Sequence, residues 1–373
     1  MARVKVEKGI AYDDVRKKYY VTFDYGIVDG KQFKQTKTYD KKRDAQRALK
    51  EFQASKTNGD LVIPSTITLS EWLNWWMDNI IIHNAAKTTV YGYRNIIRHI
   101  ELASGGKVLQ KLTATDIQGY LSDIQKKLSS NTALKHYTLM RTALDVAVNQ
   151  DILKFNPAYK VIPPNKVKKV IHFYDKEELR QLLKIAEGTR EEIIIKLGIF
   201  LGLRRGEIAG LKWHNVDFDN RLVHIRETRT TAGSVSIEKG VKTEESERVL
   251  YLSEPIYLAL REEYKKQEII KAEKGHKYKN QNYVVCWEDG RPIRPNYISE
   301  LFTNFINRNG LKPLTLHGLR HSFASLANYA QNTLYDTSKM LGHSTPSTTS
   351  DIYTHQYRES HTEQLDKMAK LLE

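Results

Sequence analysis

Four separated clusters in the second half of the chain carry residue types suited to phosphoryl chemistry. Leu201-Gly202-Leu203-Arg204-Arg205-Gly206-Glu207 places an arginine pair on a glycine-bounded turn directly after an apolar run. Lys242, in Val241-Lys242-Thr243, falls between two strand-like segments. His317-Gly318-Leu319-Arg320-His321-Ser322 opens an apolar helix for which Thr315 is the natural N-cap. Leu341-Gly342-His343 is followed ten positions later by Tyr353, in Asp351-Ile352-Tyr353-Thr354-His355. Cleaving a phosphodiester requires fixed positive donors around a phosphorus whose non-bridging oxygens gain negative charge in the transition state. The planar fork of arginine supplies such donors in pairs, which lysine cannot reproduce. Histidine adds an acid-base group. A tyrosine phenol, ionising at about pH 10, is a nucleophile whose phosphoester an alcohol can displace again.

Other chemistries fit less well. His317 and His321 are four apart, a spacing that can bind zinc on a helix, yet the usual intervening glutamate is replaced by Gly318-Leu319-Arg320 and the arginine cation would repel a metal ion. There is no P-loop and no dinucleotide fingerprint. No cofactor and no metal are expected. The single cysteine, Cys286, excludes an intramolecular disulfide framework and suits a reducing, cytoplasmic setting. Lys and Arg number 59 against 44 Asp and Glu, a formal charge of +15. That excess points to a polyanion without choosing among DNA, RNA and a membrane surface. The longest apolar stretch, Ile193 to Leu203, is interrupted by Lys196 and falls well short of the roughly 20 residues a membrane span needs. The charged start, Met1-Ala2-Arg3-Val4-Lys5, lacks the apolar core of a signal peptide.

The ordered set Arg204, Lys242, His317-x-x-Arg320, Gly342-His343 and Tyr353 resembles the tyrosine recombinases, specifically the integrases of temperate phages and integrative conjugative elements. The resemblance runs from about Lys169 to Tyr357 and lies in the conjunction, since Gly-Leu-Arg or Leu-Gly-His alone matches by chance. It implies that Arg204 and Arg320 hold the non-bridging oxygens of the scissile phosphate and that Tyr353 attacks it, leaving a 3′-phosphotyrosyl link and a free 5′-hydroxyl. It implies that Lys242 protonates the departing 5′-oxygen, that His317 is an acid-base group beside Arg320, and that His343 donates to a non-bridging oxygen. Glu207 matches a position that buttresses the pocket, against the plainer reading of a helix-start cap. Arg205 competes with Arg204, and otherwise supports the turn or meets backbone phosphate. Lys239 competes with Lys242, and Tyr357 and Tyr335 with Tyr353.

The elements that must position these residues suggest a multidomain, mainly α protein with small β-sheets. Residues 1–60 read as a β-ribbon plus helix, similar in layout to an arm-type DNA-binding domain. Tyr19–Tyr25 and Gln32–Tyr39 are strand-like around Asp29-Gly30, and a helix spans Lys42 to Lys56. Lys31, Lys34 and Lys37 face water there, either on a nucleic-acid groove or as the protection of an edge strand. Residues 66–160 read as a helical core-binding bundle. Thr68 and Glu71 have capping-box spacing ahead of Trp72, Trp75 and Trp76, and helices follow over Thr88–Ile100, Thr113–Leu128 and Asn131–Gln150. Lys87, Arg94, Arg98, Lys135 and Arg141 meet phosphates or simply form charged outer faces. Pro157, Pro163 and Pro164, followed by a basic run, mark the clearest boundary.

Residues 170–373 then form a mixed α+β catalytic domain. Asp175 and Glu178 open a helix ending near Gly188, Arg221 to Leu252 reads as a three-stranded sheet with Lys242 in a turn, and helices run from Glu254 onward. The tail Glu363–Glu373 sets Leu365, Met368 and Leu372 on one stripe, to pack on its own domain or on a neighbouring protomer. The expected activity is integration and excision of a mobile element by a site-specific DNA integrase. The alternatives are a topoisomerase-like relaxing enzyme and a non-catalytic DNA-binding regulator. The partners implied by the resemblance are duplex DNA at attachment sites, three further copies of the chain in a homotetramer, and an accessory bending or directionality factor, with no membrane.

Overall fold

The computed structural model describes residues 3–28, 30–59, 61–168, 170–240 and 247–342. The chain divides into two compact units, residues 1–168 and 169–373. The first begins with an antiparallel sheet of four strands in sequence order: β1 (Val4–Glu7), β2 (Ile10–Asp13), β3 (Lys18–Val28) and β4 (Lys31–Tyr39). The ribbon read from the sequence is β3 paired with β4, and β1 and β2 extend it to four strands. Each is only four residues long, too short for its pattern to signal a strand by itself. One face buries Val21 and Phe23 with Ile10 against Ala45 of α1 (Lys42–Asn58), which Gly59 ends at φ 74°.

Lys31, Lys34 and Lys37 are exposed but do not share a face. Residues three apart on a strand point to opposite sides. Lys37 lies opposite Val21 on the helix side and reaches over the Phe23 ring at 5.9 Å. Lys34 lies opposite Asp24 on the other side and pairs with it at 3.7 Å.

Helices follow. Thr68 and Glu71 form the expected capping box of α2 (Leu69–Trp76), which passes through a π turn (Met77–Ile81) into the short α3 (Ile82–Asn84). Next come α4 (Lys87–Ser104), α5 (Ala114–Lys127), opened by a Thr113–Asp116 box, and α6 (Ser130–Asn149). Trp72 and Trp76 are buried among Ile100, Leu121 and Leu144, and the Trp72 indole N–H donates to the Ala143 carbonyl at 2.9 Å.

The second unit is built around α8 (Glu192–Leu201), apolar on nearly all sides and therefore central. It is preceded by α7 (Lys176–Ala186), which starts at the Asp175–Glu178 capping box, and followed by α9 (Arg205–Gly210). The strands are β5 (Val216–Asp217), β6 (Leu222–Ile225), β7 (Glu227–Ala232), β8 (Val235–Gly240) and β9 (Arg248–Tyr251). They form two sheets, β5-β6-β9 and the hairpin β7-β8, where the sequence suggested one three-stranded sheet over Arg221–Leu252. The alternation continues through Arg226, so the pattern cannot reveal that the chain changes partner there.

The remaining described helices are α10 (Glu254–Lys274), α11 (Pro295–Arg308), α12 (Leu316–Tyr329) and α13 (Leu334–Leu341). Two glycines allow α9 to lie directly on β7. A Cβ on Gly206 would stand 2.6 Å from Thr228 Oγ1, and one on Gly210 would stand 2.9 Å from the Thr228 Cα.

Candidate active site

Helix α8 ends at Gly202 in the left-handed conformation, φ 59°, and the chain turns into α9 with Arg204 as its N-cap. The turn is tight on its far side as well, since a Cβ on Gly202 would stand 2.8 Å from Leu341 Cδ2 and 2.9 Å from Phe323 Cδ1. Glu207, one turn into α9 and 3% exposed, accepts from the Arg204 backbone N–H at 2.9 Å and from Arg204 Nη1 at 2.8 Å. The two readings of Glu207 are therefore one contact, in which the carboxylate that caps the helix also holds the guanidinium. Arg205, next along, is exposed.

Arg320, on the first turns of α12, is 1% exposed. The helix starts as expected, with the Thr315 hydroxyl accepting from the Gly318 N–H at 3.1 Å. Arg320 Nη1 donates to the Gly202 carbonyl at 2.6 Å and Nη2 to the Leu341 carbonyl at 2.5 Å. Arg204 Nη2 donates to the Gly342 carbonyl at 2.7 Å. A third arginine, Arg248 at the start of β9, donates from Nε to the Met340 carbonyl at 2.7 Å and from Nη1 and Nη2 to Glu207 at 3.2 and 2.8 Å. Three consecutive carbonyls at the end of α13, those of Met340, Leu341 and Gly342, thus each receive a guanidinium from a different element. These are the acceptors a helix leaves unpaired at its negative end, so they suit cations.

Among the described residues, three guanidinium groups here face one carboxylate, an excess of positive charge. Burial would raise the pKa of Glu207, but hydrogen bonds from Arg248 and the charges of Arg248, Arg320 and Arg204 outweigh it and hold the pKa at about 2. Burial, reinforced by Arg204 and Arg248, pulls Arg320 down to about 9, so it remains charged at neutral pH. His317 is open to solvent on one side, yet the surrounding protein and then Arg320 and Arg204 lower its pKa. His321 meets it edge-on with ring centroids 4.6 Å apart and is lowered to about 4 by burial, His317 and Arg320. Both imidazoles are neutral at neutral pH.

The structure therefore brings together Arg204, Glu207, His317 and Arg320 from the sequence reading and adds Arg248, which that reading missed. A signal for it existed. Arg248 shares strand parity with Leu250 and the buried Leu252, so it had to point inward. Lys242, His343 and Tyr353 lie outside the described residues, as do Tyr357 and the Glu363–Glu373 tail. In the first unit Lys87, Arg94 and Arg98 are exposed along one stripe of α4, with Arg94 paired to Asp78 at 2.9 Å. On α6, Lys135 is exposed and Arg141 half-buried against the Tyr137 ring at 5.8 Å.

Residues 172–360 match the model of the phage integrase family, and residues 68–161 match that of the phage integrase SAM-like domain. The chain belongs to the phage integrase family. As a tyrosine recombinase it catalyses site-specific DNA recombination. Among its relatives, a tyrosine recombinase XerC-like protein of Caldanaerobacter subterraneus subsp. tengcongensis is 26% identical over 364 residues, covering 91% of this chain and 93% of that protein. The ICEBs1 integrase of Bacillus subtilis is 25% identical over 269 residues, covering 71% and 72%. Among solved structures, the Tn1549 transposon integrase in complex with transposon right end DNA superposes with a TM-score of 0.68 at 19% identity, over 81% of this chain and 99% of that one. A lambda integrase dimer bound to a COC′ core site superposes with a TM-score of 0.60 at 17% identity, over 94% and 96%. The fold is that of these integrases, with an amino-terminal sheet, a helical middle and a mixed carboxy-terminal part.

Proposed function

We propose that this integrase cuts and rejoins duplex DNA at attachment sites through a 3′-phosphotyrosyl intermediate on Tyr353, moving a mobile element into and out of a chromosome. In this mechanism the Tyr353 Oη attacks the scissile phosphorus, the P–O5′ bond breaks, and Lys242 delivers a proton to the departing 5′-oxygen. Arg204 and Arg320 hold the two non-bridging oxygens, His343 donates to one of them, and His317 serves as the acid-base group beside Arg320. A 5′-hydroxyl from a second strand then attacks the phosphotyrosine and returns the tyrosine, so the phosphoester energy is kept and no nucleotide is consumed.

One observation carries this reading. Arg204 and Arg320, from different elements, are fixed on adjacent carbonyls at the end of α13, in a cluster where guanidinium groups outnumber carboxylates among the described residues. Such a cluster supplies the charge stabilisation that a metal ion provides elsewhere, so the reaction proceeds without one.

The same reading gives residues 1–60 to arm-type DNA, residues 66–160 to the core site and residues 170–373 to catalysis. The α4 stripe of Lys87, Arg94 and Arg98, with Arg141, Lys135 and Arg205, meets backbone phosphates, as do Lys31, Lys34 and Lys37 on the two faces of the amino-terminal sheet. Four copies act on synapsed DNA; a lambda integrase tetramer is known bound to a Holliday junction. The test is incubation of wild type and Tyr353→Phe with nicked attachment-site duplex, followed by denaturing electrophoresis with and without a chelator. A covalent adduct is expected with wild type only, unchanged by chelation. An adduct that persists in Tyr353→Phe would overturn the nucleophile, and one lost with the chelator would overturn metal independence.

A further inference from the structure

We propose that Arg248 is a positioning residue of the phosphate clamp, acting through Glu207 and through the last turn of α13. The proposal rests on the roles given above to Arg204 and Arg320. Each Glu207 oxygen is shared between an Arg204 donor and an Arg248 donor. Oε1 takes Arg204 Nη1 at 2.8 Å and Arg248 Nη1 at 3.2 Å, while Oε2 takes the Arg204 backbone N–H at 2.9 Å and Arg248 Nη2 at 2.8 Å. A carboxylate held from two sides in this way cannot turn about its terminal bond. The Arg204 guanidinium it orients is therefore fixed as well.

The other end of Arg248 meets the helix that leads to His343. Its Nε donates to the Met340 carbonyl, and its side chain lies so close to Gly342 that a Cβ there would stand 3.0 Å from Nη1. Gly342 has φ 63° and gives its carbonyl to Arg204. Glycine at this position thus meets both the left-handed turn and the approach of Arg248. Arg248 joins α9, β9 and α13 at one point, which is what a clamp assembled from separate elements requires. Lysine would keep the charge but could not span two carboxylate oxygens and a carbonyl together.

The test uses the full chain and single-turnover adduct formation on nicked attachment-site duplex, with DNA affinity and melting temperature measured in parallel. The variants are Arg248→Lys, Arg248→Gln, Glu207→Gln and the Arg248→Gln/Glu207→Gln pair. Arg248→Lys keeps the buried positive charge, so a fold lost in Arg248→Gln leaves the question answerable. Arg248→Lys is expected to slow adduct formation by on the order of 100-fold, the scale of a misplaced reacting group, with DNA affinity little changed. The double variant is expected to be no slower than the slower single one, because both residues act along one chain of contacts. On a duplex with a methylphosphonate at the scissile position, where one anionic oxygen is replaced by methyl, the Arg248→Lys defect relative to wild type should shrink, since less charge needs holding.

A merely structural Arg248 would slow both substrates alike and lower the melting temperature. That result, a wild-type rate in Arg248→Lys, or defects that multiply in the double variant would each overturn the proposal. The wild-type and Tyr353→Phe lanes report on the underlying reading by themselves, whatever the Arg248 variants do.

Discussion

The basic side chains proposed to hold the scissile phosphate and those proposed to hold the duplex are placed in opposite ways. In the second unit Arg320 is 1% exposed with both terminal nitrogens on backbone carbonyls, and Arg204 and Arg248 share one buried carboxylate. In the first, Lys87, Arg94 and Arg98 stand in water along α4, and the Arg94–Asp78 pair is about half exposed on both sides. Exposed pairs of this kind contribute roughly 0–1 kcal/mol and are screened by water and salt. The contrast separates two uses of positive charge. Attraction to a polyanion acts over a Debye length and tolerates a mobile side chain. Stabilising a transition state requires donors already fixed where charge will develop, and the backbone carbonyls and the Glu207 carboxylate fix these guanidinium groups.

Arg320→Lys is the strongest challenge to this contrast, because it preserves charge and removes the fork. A lysine ammonium cannot hold the Gly202 and Leu341 carbonyls together with a phosphate oxygen. Adduct formation on nicked duplex should fall by about 1,000-fold or more, while DNA affinity measured by gel shift changes by a few-fold at most. A variant within tenfold of wild type would mean that charge alone suffices, and the two regions would then work in the same way.

Acid unfolding sharpens the comparison at the level of stability. Glu207 is depressed from 4.5 to about 2, so its contribution is fully present above about pH 4.5 and is lost as pH falls towards 2. A shift of that size corresponds to about 3 kcal/mol. Asp116 in the first unit is also depressed to about 2, by Lys107 and Thr113, but on the surface, where solvent screens the pair. Chemical denaturation of the full chain between pH 5 and 2.5 should therefore show a shallower pH dependence in Glu207→Gln and little change in Asp116→Asn. Equal effects of the two would remove the distinction between buried and exposed pairs.

What was legible in the sequence follows the range of each interaction. Capping boxes at Thr68–Glu71 and Asp175–Glu178 are local and appear where their spacing places them. Arg204 and Arg320 were legible through motif order, and Glu207 through its place one turn after Arg204. Partner choice was not legible. Nothing local distinguishes β7, which pairs with β8, from β6, which pairs with β9, and nothing marks α13 as the helix whose final carbonyls gather three arginines. Arg248 was hidden for the same reason. Its parity with Leu250 says that it points inward, but only the fold shows that Glu207 is waiting there. The three lysines of β4 face water as their spacing suggests, and the pleat divides them between two faces of the sheet.

The smallest expected effect tests the exposed half of the comparison. Lys87 is exposed at the start of α4 and shares its stripe with Arg94 and Arg98. If this stripe meets DNA phosphates, Lys87→Ala removes one counterion-releasing contact, so the slope of log Kd against log salt should fall by about one unit. The weakening should be uniform across DNA sequences and should vanish in the adduct assay once protein is saturating, because no donor at the scissile phosphate has moved. An unchanged salt slope would take Lys87 off the DNA. A lower adduct rate at saturation would show instead that this surface residue positions the reacting phosphate, and charge exposed in water would then be doing what only buried guanidinium groups are expected to do.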